Sequence, residues 1–225
     1  MKAWIVGAGR MGSAIESALL ARGHLLAGRT GRNGDVADVL ADVAFEFTAP
    51  AAAPQRVSEL LRRGVPTVSG TTGWDVEPAH REAERLAVPF LHAANFSIGV
   101  AVARHAVALM ARELAPFLEF EPGVVERHHT AKKDAPSGTA NALAAVIAAQ
   151  RGSAAPVPIV SLRQGGQPGE HAVIFEGLEE SLELVHRARS RGLFAIGAVR
   201  AAEWLLASGR RGPASFDEFF VGSGI

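Results

Sequence analysis

Three glycines near the start of the chain limit the fold more than any other feature. Gly7, Gly9 and Gly12 follow a short apolar segment, residues 3–6, and precede a segment of helical periodicity that ends at Gly23. In a strand–turn–helix unit, the first glycine permits the tight turn and the second lets the backbone approach a pyrophosphate, while the third allows close packing of helix on strand. At the first strand–helix turn, this pattern predicts a dinucleotide-binding site.

Strands and helices alternate through the first 96 residues. Apolar segments that end at turn residues predict strands, and segments with a 3.6-residue period predict helices. The predicted strands are 3–6, 25–28, 43–47, 67–69 and 89–92, and the predicted helices are 15–22, 53–63 and 78–86. This alternation is typical of a parallel, doubly wound sheet, the Rossmann-like α/β class.

The pattern changes after Asn95. The predicted helices are 98–114, 139–150 and 197–206, and the predicted strands are 124–129, 159–162, 172–176 and 181–188, the last three antiparallel. We therefore predict a dinucleotide-binding domain over 1–96 with 197–225, and an inserted α+β substrate domain over 97–196.

The composition excludes several classes of protein. The 225 residues include 23 Lys and Arg against 23 Asp and Glu, so we expect no basic face for nucleic acid. The chain has no cysteine, which excludes a disulfide framework, a thiolate metal site and a cysteine nucleophile, and it has no tyrosine. It has no apolar run of about 18 residues. We expect no signal peptide, because the opening apolar segment is short and soon interrupted by glycine. We expect a cytoplasmic enzyme that uses a cofactor and has no membrane segment.

The end of the second predicted strand bears on the choice of cofactor. NAD-preferring folds usually carry an acidic residue about 20 residues after the glycine turn, to hold the ribose 2′-hydroxyl. Here Arg29 and Arg32 come before the first acid, Asp35. Because arginine can pair with a 2′-phosphate, we predict that NADPH is used at least as well as NADH. The alternative is that both arginines are solvated loop charges.

Residues 126–139 carry a concentration of basic side chains. Two of the eight histidines, His128 and His129, and two of the three lysines, Lys132 and Lys133, lie within six residues. Histidine and lysine can donate a proton near neutral pH, whereas arginine effectively cannot. The sequence Ser137-Gly138-Thr139 then opens a helix, whose N-terminus attracts anions. The cluster predicts a small, doubly anionic substrate beside a proton donor.

Two alternatives to this interpretation remain. The cluster could be a solvated surface patch that precedes an ordinary helix cap. A zinc site is disfavoured, because adjacent histidines on a strand point to opposite faces and the lysines would repel a metal, so we expect no bound metal. The remaining histidines that we considered are interpreted as structural; they are His24, His80, His92, His105 and His171.

Taken together, these motifs resemble the 4-hydroxy-tetrahydrodipicolinate reductase (dihydrodipicolinate reductase) family, in order and over nearly the whole chain. The most specific stretch is His-His-x-x-Lys-x-Asp-Ala-Pro-Ser-Gly-Thr at 128–139. The others are the glycine turn at 7–12, Phe-Glu-Phe-Thr at 45–48, Gly-Thr-Thr-Gly at 70–73, Ala-Ala-Asn-Phe-Ser at 93–97, Gly99, Gly-Glu-His at 169–171 and the segment 186–200.

The resemblance implies a role for each matching residue. His128 corresponds to the family's proton donor and acceptor, and Lys132 to a second proton donor. The implied substrate-binding residues are His129, Ser137, Gly138, Thr139 and Arg191. The implied cofactor-binding residues are Gly7, Ala8, Gly9, Arg10, Met11 and Gly12 around the pyrophosphate, then Thr48, Gly70, Thr71, Thr72, Ala93, Ala94, Asn95 and Phe96, while Arg29 is the residue predicted above to contact a 2′-phosphate.

The implied activity is the NADPH- or NADH-dependent reduction of a cyclic dicarboxylate, 4-hydroxy-tetrahydrodipicolinate, in lysine and diaminopimelate biosynthesis. The resemblance also implies a homotetramer built through the inserted domain. The chain departs from the family at Ala131, Lys133 and Ile196, and it is shorter over residues 151–170. Two alternative functions are another small-acid reductase on the same fold and a regulatory protein that senses NAD(P) without turnover.

Overall fold

The computed structural model describes residues 1–31, 36, 40–152 and 155–222, without the side chains of residues 221 and 222. The chain divides into two compact units, unit 1 of Met1–Phe96 with Arg191–Ile225 and unit 2 of Ser97–Ser190. The strands are β1 Lys2–Val6, β2 Leu25–Thr30, β3 Val43–Glu46, β4 Thr67–Ser69, β5 Phe90–His92, β6 Glu121–His128, β7 Ile159–Arg163, β8 Gly169–Glu176, β9 Ser181–Ala188 and β10 Pro213–Ser215. The helices are α1 Arg10–Ala21, α2 Ala53–Arg62, α3 Glu77–Leu86, α4 Ile98–Glu113, α5 Gly138–Arg151, α6 Gly192–Ala207 and α7 Phe216–Gly222.

Unit 1 is built on a parallel sheet, as the alternation of strands and helices predicts. Over the described residues the sheet has six strands in the order β10-β5-β4-β3-β1-β2, and every adjacent pair is parallel. All four residues of β3 are buried, as expected for a central strand covered on both faces. The Rossmann-like fold class is therefore confirmed. The sequence analysis did not predict β10 or α7, because three strand residues give too short a pattern.

Unit 2 contains a four-stranded sheet in the order β7-β6-β8-β9. Strand β8 is antiparallel to both β6 and β9, but β7 is parallel to β6. The predicted antiparallel orientation of residues 159–162 was therefore wrong. The reason is that α5 connects β6 to β7, and a helical crossover joins parallel strands.

The core of unit 2 lies between α4, α5 and one face of the sheet. Its fully or nearly fully buried residues are Val107, Ala111, Val124, Ala140, Leu143, Ile147, Val173 and Phe175. Both helices begin at a serine cap: the hydroxyl of Ser97 accepts from the backbone N–H of Val100, and that of Ser137 accepts from Ala140. This packing fixes the starts of both helices over the same face of the sheet.

The boundary between the units differs from the prediction at one end. The prediction assigned residues 191–196 to the inserted domain, whereas these residues belong to unit 1 because α6 begins at Gly192. Helix α6 packs on α1 and β4 within unit 1. Arg191 therefore lies at the start of a helix of unit 1.

The helices are short relative to a lipid bilayer. The longest described helices, α4 and α6, have 16 residues each. Spanning a bilayer takes about 20 apolar residues. Within the part of the chain that the structure describes, no helix is both long and apolar enough to cross a membrane.

Candidate active site

The carboxylate of Glu126 lies at the centre of the polar residues of unit 2. Its side chain is fully buried on β6 and accepts hydrogen bonds on both oxygens. Oε1 accepts from Nη2 of Arg163 at 2.6 Å and from the backbone N–H of Ser137 at 3.2 Å. Oε2 accepts from Nη1 of Arg163 at 2.9 Å and from Nδ1 of His128. Four donors therefore occupy a group that has about four acceptor sites.

These contacts keep Glu126 ionised. Burial by itself would raise the pKa of this carboxyl, but hydrogen bonds from Arg163 and His128 and the charge of His128 lower the pKa to about 2. An ionised carboxylate can only accept hydrogen bonds. The contact with His128 therefore requires a proton on Nδ1 of the imidazole.

His128 ends β6 and is only 7% exposed. Burial lowers the pKa of its imidazole below the ordinary value of 6.5, and the charges of Lys132 and Arg163 lower it further, whereas Glu126 acts in the opposite direction. A side chain at Gly169 would crowd the ring, because its β-carbon would lie 3.0 Å from Nε2 of His128. The protonation of His128 therefore depends on the charges of Glu126, Lys132 and Arg163.

Lys132 follows in the turn after β6. Its ammonium group bonds the carboxylate of Asp134 at 2.8 and 2.9 Å, and its side chain is 23% exposed. Arg163 donates from Nη2 to the backbone carbonyl of Asp134 at 2.6 Å. Arg163 therefore contacts both the carboxylate that binds His128 and the turn that carries Lys132.

The start of α5 completes the polar cluster. Ser137 caps the helix, and its hydroxyl lies 3.0 Å from Nε2 of His171. Gly138 is exposed and Thr139 is half-buried at the first helical positions, where the positive end of the helix dipole favours an anion. His129 is half-buried beside His128 in the chain.

The sequence analysis missed three residues of this cluster, Glu126, Arg163 and His171. Glu126 and His171 are paired across β6 and β8, and His171 is paired with His186 across β8 and β9. The rings of His128 and His171 lie 5.1 Å apart. The alternation of side chains places Glu126 and His128 on one face, but no local pattern shows which strand of the sheet lies beside them.

Unit 1 contains a glycine cradle that fits a dinucleotide. A β-carbon at Gly7 would lie 2.2 Å from the carbonyl oxygen of Phe47, and one at Gly12 would lie 2.1 Å from that of Gly7, so a side chain at either position would displace backbone. A cavity of about 340 Å³ opens beside this turn. Its lining residues are Gly7, Ala8, Gly9, Gly31, Phe47, Thr48, Ala49, Ala52 and Arg56.

A second buried carboxylate orders the neighbouring strand ends of unit 1. Glu46 accepts from the backbone N–H and the hydroxyl of Thr48, from the hydroxyl of Ser69 at 2.6 Å and from that of Thr71 at 2.8 Å. Glu46 thus fixes two predicted cofactor-binding residues, Thr48 and Thr71. The sequence analysis assigned it no role, nor did it include Arg56, which lines the cavity.

The structure does not bring every predicted cofactor-binding residue to that cavity. Its lining includes four of them and leaves out Arg10, Met11, Gly12, Arg29, Gly70, Thr71, Thr72, Ala93, Ala94, Asn95 and Phe96. The guanidinium of Arg29 bonds Glu16 at 2.5 Å on α1, while Arg32 and Asp35 lie outside the described residues. Arg191 is exposed at the start of α6, so its predicted substrate contact stays a prediction.

The parallel sheet and the glycine cradle define the class of protein, a Rossmann-fold protein with an additional α+β unit. Residues 1–96 match the family model described as "Dihydrodipicolinate reductase, N-terminus", and residues 99–219 match "Dihydrodipicolinate reductase, C-terminus". The chain belongs to the dihydrodipicolinate reductase family. The N-terminal domain of this family is an NAD(P)-binding Rossmann domain.

Curated relatives that match this chain are named 4-hydroxy-tetrahydrodipicolinate reductase. The chain is 34% identical over 216 residues to the 4-hydroxy-tetrahydrodipicolinate reductase of Christiangramia forsetii, covering 89% of this chain and 90% of the relative. It is 47% identical over 167 residues to that of Stenotrophomonas maltophilia, covering 73% of this chain and 66% of the relative, just under two thirds. The names of these relatives agree with the two family-model matches.

A solved structure has the same fold. The dipicolinate-bound dihydrodipicolinate reductase from Paenisporosarcina sp. TG-14 aligns with a TM-score of 0.77 at 21% identity, over 96% of this chain and 97% of that one. At 21% identity this likeness is evidence for the fold alone. It agrees with the α/β architecture derived from the strand order.

Proposed function

We propose that this chain catalyses the NADPH- or NADH-dependent reduction of 4-hydroxy-tetrahydrodipicolinate to tetrahydrodipicolinate. Overall, one hydride and one proton are added to the ring and one water leaves, so atoms and charge balance. The observation that carries the proposal is the buried pair of His128 and Glu126 on β6, in the same segment as Lys132 and bonded to the backbone N–H of Ser137 at the start of α5. A cytoplasmic location belongs to the same proposal and rests on the sequence alone.

The nicotinamide, when bound, supplies the hydride, which no side chain can supply. The backbone of residues 7–12 would hold the pyrophosphate at the N-terminus of α1, since free N–H groups at the start of a helix bind anions. Thr48 and Thr71 are held in place by Glu46 and orient the remainder of the cofactor. The enzyme then needs only to align the substrate and supply a proton.

The substrate is a small dicarboxylate, and unit 2 supplies the matching positive charge. The start of α5, at Ser137, Gly138 and Thr139, holds one carboxylate, and His129 contributes to the same site. Lys132 neutralises negative charge and acts as a second proton donor. His128 gives the proton to the ring. Arg191 is the further carboxylate-binding residue that the family resemblance implies.

The outer face of the unit 2 sheet is the proposed surface for a homotetramer. In register across the four strands this face carries Val160, Val125, Ala172 and Val185. Val160 is 60% exposed and Leu162 on the same strand is 41% exposed. The next row of this face joins Leu162 to the ion-paired residues Arg127, Glu170 and Arg187. Exposed apolar residues on a sheet face are typical of an interface between subunits, and the family resemblance supports a tetramer.

One assay tests the proposed function. Purified protein is mixed with NADPH or NADH and freshly generated 4-hydroxy-tetrahydrodipicolinate, and the loss of nicotinamide absorbance is followed. Substrate-dependent oxidation is expected with both cofactors. Binding of NADPH without oxidation would instead support the regulatory, NAD(P)-sensing alternative, and oxidation only with a different small acid would support another reductase.

A further inference from the structure

Glu126 and Arg163 connect three parts of unit 2 that are separate in the sequence. These parts are His128, the turn of Lys132 and Asp134, and the start of α5 at Ser137. We propose that Glu126, held by Arg163, is a positioning residue that makes Nε2 of His128 the proton-transfer atom of the reaction. The proposal rests on the proposed function, because it concerns the proton donor of that reaction.

The first step of the argument is the direction of one hydrogen bond. A buried carboxylate with two bonds from a guanidinium stays ionised and cannot donate. Its bond with Nδ1 of His128 therefore places a proton on Nδ1 whether the ring is neutral or charged. In the neutral ring Nε2 is then the nitrogen without a proton, because the partner of one ring nitrogen determines the tautomer.

The second step is the space beside Nε2. A β-carbon at Gly169, at the start of β8, would lie 3.0 Å from Nε2 and would crowd the ring. A glycine at this position keeps that nitrogen uncrowded. The same ring contacts His171 edge to face, with centroids 5.1 Å apart, so its plane is fixed from a second side.

The third step is the geometry of Arg163. Its guanidinium binds both oxygens of Glu126 and also the carbonyl of Asp134, whose carboxylate binds the ammonium of Lys132. A planar, forked donor can hold these acceptors together, which a lysine could not. Because Glu126 also accepts from His128, these contacts fix the position of His128 relative to Lys132, the other proposed proton donor.

A second ion-paired glutamate in the same sheet provides a matched control. Glu170 on β8 is 8% exposed and bonds Nε of Arg187 at 2.6 Å. It is paired across the strands with Arg127, on the face opposite to His171. Glu170→Gln therefore removes a largely buried, ion-paired carboxylate from the same strands without touching His128. Because Glu170 lies in register with Leu162 on the proposed tetramer face, the mass of this variant in solution is compared with that of the wild type.

The first measurement is the tautomer of His128 in the wild-type protein without substrate. Imidazole nitrogens labelled with ¹⁵N are assigned by comparison with His128→Gln. We expect the neutral ring to carry its proton on Nδ1. A neutral ring protonated on Nε2 would overturn the proposal, and since this readout needs no turnover, it is independent of the proposed function.

The second measurement compares pH profiles of kcat for Glu126→Gln and Glu170→Gln, with folding checked by circular dichroism. His128 is faced by Glu126, Lys132, Arg163 and His171, and loss of the only negative group among these disfavours its charged form. We expect Glu126→Gln to lower kcat at least tenfold, and by no more than the loss of about 10²–10⁴-fold that follows removal of a general acid itself. KM should change less than about threefold, and the fall of kcat at high pH should move to lower pH by about one unit.

Arg163→Met gives a shift of the opposite sign. The charge of Arg163 lowers the pKa of His128, so its removal should raise that pKa. The fall of kcat should then move to higher pH. If the ion pair of Glu126 and Arg163 only stabilised the fold, the pH profile of kcat would shift in neither variant or in the same direction in both. If the wild type turns over and folded Glu126→Gln keeps its kcat and pH profile, the positioning role is wrong; if the wild type does not turn over, the proposed function is wrong.

Discussion

The imidazole of His128 donates a hydrogen bond through Nδ1 to Oε2 of Glu126, two residues earlier on β6. Both side chains point to the same face because side chains alternate along a strand. Glu126 is fully buried and keeps its charge through two bonds from Arg163. The proposed proton donor is thereby held in one orientation by an anion that has no exposed surface.

Lys132 and its neighbour Lys133 form a matched pair for mutation. Lys132 is half-buried and bonded to Asp134, whereas Lys133 is exposed. Lys132→Ala should lower kcat/KM by about 10²-fold or more and raise the KM for substrate, since it removes both a charge and a proton donor. In steady-state kinetics, the kcat/KM of Lys133→Ala should stay within about twofold of the wild-type value. Equal losses in the two variants would show that positive charge in this segment matters and that Lys132 has no specific role.

The sequence was informative about this site where the residues are adjacent in the chain. His128, His129, Lys132 and the start of α5 lie within twelve residues, so a local pattern was enough to group them. Arg163 and His171 join the cluster only through the pairing of β6 with β7 and β8. Strand pairing over more than 30 residues leaves no local pattern in a single sequence, and this is why both were missed.

His171 makes the stability of the protein depend on pH. Burial, together with the charges of His128 and His186, lowers the pKa of His171 from 6.5 to about 4. Between these values the unfolded chain binds a proton that the folded chain does not, so the free energy of unfolding falls as the pH decreases from about 6.5 to about 4. The loss attributable to His171 is on the order of 3 kcal/mol.

Urea unfolding at several pH values measures this effect. His171→Gln should flatten the dependence between about pH 6.5 and 4, whereas His105→Gln, at an exposed position of α4, should keep the wild-type slope. Parallel curves for wild type and His171→Gln would show that another group is responsible.

Arg29 is expected to favour NADPH. Its guanidinium lies at the end of β2 and is bonded to Glu16. If it also binds the 2′-phosphate, Arg29→Ala should raise the KM for NADPH by about 10–100-fold, the usual size of a charge-assisted hydrogen bond, and leave the KM for NADH nearly unchanged. The two KM values of the wild type serve as the reference, and a strong wild-type preference for NADH would contradict the assignment.

The proposed tetramer depends on the outer face of the unit 2 sheet. Val160→Glu places a charge on this face, and burial of an unpaired charge in an interface is costly. Light scattering coupled to size exclusion should give four times the chain mass of 23.5 kDa for wild type and a smaller mass for the variant. Leu20→Glu, at a 56% exposed position on α1, is the control. A wild-type monomer, or a Val160→Glu protein of unchanged mass, would rule out this interface.

The fold was predictable to different degrees in the two units. In unit 1 the alternation of apolar strands and amphipathic helices led to the parallel sheet, since each element has its own period. In unit 2 the strands were located, but the orientation of β7 was not, because orientation depends on the path of α5 rather than on the residues of the strand. The three-residue β10 pairs only through its position after α6, and no pattern within residues 213–215 predicts it.

Turnover by the wild type and by His128→Gln, measured side by side, tests the central claim most directly. Wild-type protein should oxidise NADPH or NADH only when 4-hydroxy-tetrahydrodipicolinate is present. His128→Gln should lower kcat by about 10²–10⁴-fold, with cofactor binding by nicotinamide fluorescence unchanged. Absence of substrate-dependent oxidation by the wild type, or wild-type turnover by His128→Gln, would contradict the account.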